Sequence, residues 1–530
     1  MSTKMKLLPR WRGALGLALA LMLGALGAGR LAAQISTASV EVNAAGTDGA
    51  PLPGVTVTLR NTETGLTRVE VTNAEGTATL TALPPGTYRA ELELQGFSPV
   101  TQDRVVLRVG QTARVRATLS AAVTESIDVS TTVPLVDVYK TDTSTNVVPE
   151  QIASLPVADR DFQKLAFIAP GVERERGGFR FIGGGPVVGA GGNASQSTIL
   201  VDGVDFTDAA LGLSKIRFSQ DAIGEFRVIN NRYDSEIGGT AGGAISIITR
   251  AGTNQIQGSA FGFYRADALR AKGALEQKKN DFSRDQYGAS VGGPIVQDRA
   301  HYFANFERVD EHNVALFRPA GAYASRAADI KHPFDQTLGF LRLDDSTSES
   351  NSLGGNFVVE RYRESNFRVG GVNDQANGQT LQKDNWNLTL EDVAVLSGGR
   401  LNELRAQGGK RKFFEPTNSQ AVGEWFSSGN TLETGANILG DLLGEGKDYE
   451  LLDTYHWSLE GAGTHEVKAG ADYHYHQERS RIDTFQYGLF TYVTDTRALP
   501  LAYLYGVGSS DVTYDTNRYG GFLQDDWRPR

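Results

Sequence analysis

The second half of the sequence carries stretches of about ten residues in which apolar and polar side chains alternate, and this constrains the fold more than any other feature. In "HEVKAGADYHYHQE", Val467, Ala469, Ala471, Tyr473 and Tyr475 share one face, and Glu466, Lys468, Asp472, His474 and His476 share the other. In "DNWNLTLED", Trp386, Leu388 and Leu390 oppose Asn385, Asn387, Thr389 and Glu391. A period of two means β-strand. Strands of this length, with aromatics on one face and charge on the other, suit lipid on one side and a wet lumen on the other. A soluble sandwich more often uses shorter strands. Beyond the first residues no apolar run is long enough for a membrane-crossing helix, so any crossing must use a β-barrel. Tyr302, Phe303, Phe306, Phe413 and Phe414 are candidates for its aromatic girdles, and residues 371–379 and 422–446 for outer loops.

Residues 1–33 read as a secretory signal. Lys4, Lys6, Arg10 and Arg12 precede an Ala/Leu/Gly run of about 15 residues, and Ala32-Ala33 supplies a small-residue cleavage site. There is no cysteine, so neither a lipoprotein anchor nor disulfides are available to the exported chain. The formal net charge of −10 argues against nonspecific nucleic-acid binding.

Residues 34–121 predict a small β-sandwich. "PLPGVTVTL" and "LPPGTYRAEL" each place a Pro/Gly turn before an alternating strand. Val55, Val57 and Leu59, then Tyr88, Ala90, Leu92 and Leu94, point one way, and about seven strands recur at sandwich spacing. These turn–strand pairs resemble the carboxypeptidase regulatory-like domain, and no catalytic residue or zinc-ligand spacing accompanies them. Residues 122–134 read as an extended linker. Within it, Glu125-Ser126-Ile127-Asp128-Val129 reads as linker, as a last sandwich strand, or as a segment that adds to a partner's sheet edge.

Residues 135–254 predict an α+β domain with long glycine-rich loops. A helix starts at Pro149, and Asp159 is the expected cap of a second helix carrying Phe162, Leu165 and Ala166. "STILVDGVDFTD" reads as strand, tight Asp202-Gly203 turn and return strand. Phe226–Ile229 and Ile245–Thr249 are further strands, and Gly252–Asn254 turn the chain into the alternating meander. The glycine-rich loop lacks the Lys-Ser/Thr of a phosphate-binding loop.

"STILVDGVDFTD", "AIGEFRVINNRYDSEIGGTAGGAISIITRAGTNQIQGSAFGFYR" and "RYGGFLQDDWRP" together resemble the TonB-dependent outer-membrane transporters, in particular the Oar-like group. That resemblance implies a mainly β chain: an Ig-like regulatory sandwich in the periplasm, a plug at 135–254, and a transmembrane barrel from 255 to 530. It places the TonB box at Glu125, Ser126, Ile127, Asp128 and Val129. It also makes Arg174, Arg176, Phe179, Arg180 and Phe181 candidates for a ligand-facing plug loop. TonB, with its inner-membrane energising complex, is the implied partner, alongside outer-membrane lipid and an extracellular siderophore, peptide or glycan. No cofactor and no catalysis are implied; a non-transporting adhesion or binding protein is the alternative.

Two expectations concern the barrel itself. Asp472, His474 and His476 on one face have the i, i+2 spacing of a chelate, but polar lumen lining explains them and no metal is expected. The family's barrel has about 22 strands, whereas 255–530 holds enough for about 10–14, so a curved sheet that fails to close is expected.

Overall fold

The structure is a computed structural model describing residues 37–529, apart from 122–126, 130–142, 156, 175–185, 190–193, 209–212, 273–278, 349 and 397–399. The segment read as a signal therefore lies outside the described residues.

The sandwich is made by β1 (Ala38–Gly46), β2 (Thr56–Asn61), β3 (Thr67–Val71), β4 (Thr77–Leu83), β5 (Gly86–Glu93), β6 (Val100–Leu107), β7 (Thr112–Leu119) and β8 (Ile127–Val129). One sheet has the order β4-β1-β7 and the other β3-β2-β5-β6-β8. The alternating residues meet between them: Val40, Val42, Val57, Leu59, Tyr88, Leu92, Leu107 and Leu119 are all buried. Each such Val or Leu stabilises the sandwich by about 1.5–3 kcal/mol. Gly76 closes the turn into β4 at φ 71°, where a Cβ would stand 2.4 Å from the Ala44 carbonyl oxygen.

A second unit is built from β9 (Thr143–Val147), β10 (Val172–Arg174), β11 (Pro186–Val188), β12 (Thr198–Val201), β13 (Val204–Asp205), β14 (Ile223–Asn231) and β15 (Ala244–Thr249). Its main sheet runs β13-β12-β15-β14-β9. Strands β12, β14 and β15 are near-continuous runs of buried residues because they are covered on both faces. The helical segment is not as the sequence suggests. Phe162–Ile168 is 3₁₀, and Asp161, not Asp159, caps it by accepting from the Gln163 N–H. Asp159 instead has a positive φ of 62° and turns toward basic side chains.

The remainder comprises β16 (Gln257–Ala266), β17 (Ser283–Val296), β18 (Ala300–His312), β19 (Val314–Phe317), β20 (Ala328–Lys331), β21 (Phe334–Ser348), β22 (Asn351–Phe367), β23 (Gln379–Leu396), β24 (Arg400–Glu415), β25 (Gly423–Phe426), β26 (Leu432–Thr434), β27 (Leu442–Glu460), β28 (Gly463–Ile482), β29 (Leu489–Tyr492), β30 (Pro500–Leu504) and β31 (Val512–Pro529). Ten of these form one antiparallel sheet, β16-β17-β18-β21-β22-β23-β24-β27-β28-β31. It curls around the second unit, which becomes a plug. The sheet does not close: among the described residues, β16 and β31 each have one sheet neighbour.

The sheet's two ends differ. At one end only short turns join the strands, as between Val296 and Ala300. At the other stand long connections. Outer-membrane barrels keep short turns in the periplasm and long loops outside. The segment 422–446, expected as loop, is in part sheet: β25 and β26 join β29 and β30 in a four-stranded layer over the outer end. Phe426, Leu432 and Tyr492 give that layer its own small core with Phe317. Phe303, expected in a girdle, turns inward onto Phe340 and the plug's hydrophobic core. No described helix is long and apolar enough to cross a membrane.

Candidate functional site

The plug meets the wall through a small aromatic seam and a large polar one. Phe218 of the plug packs edge-on against Phe340 of β21 at 6.1 Å, with Phe206 at 5.4 Å behind it. Around this seam the contacts are ionic. The Asp202-Gly203 turn, at φ 47° and 86°, aims the Asp202 carboxylate at the wall. The carboxylate accepts from the N–H (2.8 Å) and hydroxyl (2.6 Å) of the plug's own Thr249, and on the wall it accepts from Asn356 Nδ2 (2.7 Å) and pairs with Arg342 (3.3 Å). Gly203 makes room for fully buried Arg405, since a Cβ there would lie 2.5 Å from the guanidinium. Arg405 Nε donates to Glu391 at 3.0 Å.

A second ionic group lies on β24, β27, β28 and β31. Lys215 Nζ stands 3.1 Å from Asp448, and Asp205 pairs with Arg518 at 3.1 Å while its backbone N–H donates to Glu450 (3.0 Å). Asp208 pairs with Arg411, which also reaches Glu478 at 2.8 Å. On the far side Ser219 donates to Glu307 of β18 at 2.6 Å, and on β28 Lys468 reaches Glu236 at 3.5 Å. Each ionic partner has a water-borne alternative, so a plug held this way can exchange wall contacts for hydration. A wholly apolar seam offers no such exchange.

The three residues at chelate spacing are thereby placed. His474 Nε2 and His476 Nδ1 both face Asp448 Oδ1, at 3.4 and 3.0 Å, where Lys215 also binds. Asp472 is turned instead to Arg518 at 3.8 Å. Among the described residues no group of three or more His, Asp or Glu is arranged to hold a metal ion.

The sandwich sits against the short-turn end. Arg60 pairs with Asp298 at 3.2 Å, Arg68 donates to Ser352 at 2.9 Å, and the Asn254 N–H donates to the Glu63 carbonyl at 2.7 Å. Ala82 packs with Val393 and Leu401 of the wall. Toward the plug, Glu225 accepts from the Val109 N–H at 3.2 Å and Asn146 Nδ2 at 2.9 Å. Burial at this junction raises the Glu225 carboxyl above its usual range. A cavity of about 710 Å³ remains between sandwich, plug and wall, lined in part by Arg68, Arg108, Glu150, Arg160 and Arg342.

Residues 39–120 match the Carboxypeptidase regulatory-like domain and 248–329 the Outer membrane beta barrel domain. The TonB-dependent transporter Oar of Myxococcus xanthus is 29% identical over 273 residues, 48% of this chain and 25% of Oar. The chain resembles the TonB-dependent outer-membrane transporters. The outer membrane transporter YddB of Escherichia coli superposes with a TM-score of 0.56 at 13% identity, over 73% of this chain and 55% of YddB. The siderophore receptor PirA of Acinetobacter baumannii gives 0.51 at 15% identity, over 74% and 55%. The chain thus spans about a quarter of the curated relative's length and about half of these structures. Its place is the outer membrane, with the ten-strand sheet as the membrane part.

Of the residues singled out in the sequence, Glu125, Ser126, Arg176, Phe179, Arg180 and Phe181 lie outside the described residues. Arg174 ends β10, in register with Pro186 of β11. The backbone of Ile127, Asp128 and Val129 is β8, laid parallel against β6. The ionic wall contacts of Lys215, Asp205, Asp208, Arg342 and Arg405 were not singled out. For Arg342 and Arg405 the sequence signal is the charged face of each alternating strand, which shows that a lumen is lined but not what is paired across it.

Proposed function

We propose that the chain belongs to an energised importer, in which the plug closes the outer-membrane passage and TonB pulls on the segment Glu125–Val129 to move it. The observation that carries this reading is the polar seam between plug and wall, with Asp202, Asp205 and Lys215 held by Arg342, Arg518 and Asp448. Contacts of that kind hold a plug at rest and let it rehydrate when displaced. The work comes from the inner membrane through TonB and its energising complex, so neither cofactor nor catalytic step is assigned. The ligand is a siderophore, peptide or glycan that meets the folded layer of β25, β26, β29 and β30 first. Arg174, Arg176, Phe179, Arg180 and Phe181 are the plug residues assigned to meet it next. The regulatory-like sandwich lies on the periplasmic side.

The test is Ile127→Pro, which removes a strand-pairing N–H from the segment. Uptake of labelled ligand driven by coupled TonB should fall to background with unchanged abundance in the outer membrane. Uptake at the wild-type rate would overturn the assignment.

A further inference from the structure

Strand β8 is not where a free linker would be. Its three residues pair in parallel register with the sandwich, Ile127 opposite Val100, Asp128 opposite Thr101 and Val129 opposite Gln102. The receiving edge is formed: Val100 and Gln102 are both buried. The chain is steered to it, since the Ser98 N–H donates to the Ser120 carbonyl at 2.9 Å just after β7. In the sheet order β3-β2-β5-β6-β8, β8 is the last strand, with one edge on β6 and no sheet neighbour on the other among the described residues.

We propose that the sandwich presents Ile127–Val129 of the coupling segment as its own edge strand, so that the partner's strand adds outside β8 and the sandwich is part of the TonB-docking surface. This rests on the reading of Glu125–Val129 as the TonB-binding segment. A strand edge with no sheet neighbour offers a row of N–H and C=O groups, the template that strand addition uses. Ile127–Val129, already extended on β6, need no further ordering when the partner strand arrives, and preorganisation of that kind strengthens binding. The occupant is an extended strand of the periplasmic partner. Because the sandwich also holds the plug through Glu225 and the barrel turns through Arg60 and Arg68, tension on β8 reaches both.

The chain has no cysteine, so an introduced pair is the only pair present. In full-length protein in outer membranes, Thr101→Cys with Asp128→Cys should form a disulfide on mild oxidation without TonB present. Gln102→Cys with Asp128→Cys, one residue out of register, should cross-link several-fold more slowly. The purified periplasmic domain of TonB should then bind the oxidised in-register variant at least as tightly as its reduced form. No cross-link, or equal rates for both pairs, would overturn the docking on β6. A tenfold or greater loss of binding on oxidation, restored by dithiothreitol, would overturn presentation, because the segment would have to leave β6 to be bound. A cross-link with no binding in either state would remove TonB as occupant and, with unchanged uptake in Ile127→Pro, the functional reading itself. Loss of uptake in Ile127→Pro together with no cross-link would leave the functional reading standing and end this one alone.

Discussion

Ala469→Arg tests where β28 lies in the bilayer. On its outward face the row Val467, Ala469, Ala471, Tyr473, Tyr475 is bounded by aromatic pairs. His465 stacks on Trp527 at 5.8 Å toward the turn end, and Tyr449 on Tyr475 at 6.2 Å toward the loop end. Ten residue steps between those pairs, at about 3.3 Å each and a tilt of about 40°, rise about 25 Å, the height of an outer-membrane apolar band. Ala469 therefore lies close to the midplane, opposite Tyr455 and Leu523. Arginine there should destabilise the inserted protein by about 2–4 kcal/mol, falling to about 0–1 kcal/mol near the interfaces. At Tyr473, about 8 Å from the midplane on the same rise, the expected loss lies between those two values, plus about 0.5–1.5 kcal/mol for the ring pair with Tyr519 at 5.1 Å. Guanidinium titration in lipid vesicles, with tryptophan fluorescence as the measure of folded protein, compares the two, with Ala469→Leu as a control of size. An Ala469→Arg variant within 0.5 kcal/mol of wild type, on the scale of an ordinary surface change, would refute the placement of the band.

Two further predictions concern titration outside the membrane. Burial pushes the Tyr88 phenol, which donates to the Pro84 carbonyl at 2.8 Å, up to about 12. A raised folded-state value means its contribution is complete below about pH 10 and lost as pH rises through 12, a loss of about 3 kcal/mol. Tyr88→Phe should be less stable at pH 7 by about 1–2 kcal/mol yet lose nothing more from this group across that window in alkaline unfolding. In the outer layer, burial raises the Glu433 carboxyl to about 7, so its stabilising contribution is lost as pH rises from about 4.5 through 7. Hydrogen exchange, corrected for intrinsic rate, should show β26 less protected at pH 8 than at pH 6, and Glu433→Gln should abolish the difference.

What was legible in the sequence is what local periodicity and turn chemistry determine. Trp386 is exposed and Asn385 and Asn387 are buried because a strand sends neighbours to opposite faces whatever surrounds it. The turn at Asp202-Gly203 follows likewise from its own two residues. Phe303 shows the limit: its aromatic character suited a girdle, but its parity on β18 points it at Phe340. The sheet over the outer end was hidden for another reason. Its central pairing joins β25 to β29, strands of four residues each and more than sixty residues apart, too short to show a pattern. The contact of Lys215 with Asp448 and that of Arg68 with Ser352 depend on how whole units seat, which no window of sequence contains.

The unequal ends of the sheet make the chain unequally tolerant of insertion. Closing the 29-residue connection between Ile482 and Val512, rather than a three-residue turn, adds only about 2 kcal/mol of loop entropy, since that term grows with the logarithm of length. Part of the offset comes from the layer's own packing around Phe426 and Tyr492, stacked at 4.9 Å. New residues on that side meet open space and can vary with whatever arrives from outside. On the opposite side, the turn bearing Asp298 and the strand start at Ser352 are held by Arg60 and Arg68, so one added residue there would displace a whole neighbouring unit. The molecule is free to change at the end that faces the environment and held to length at the end that faces the cell.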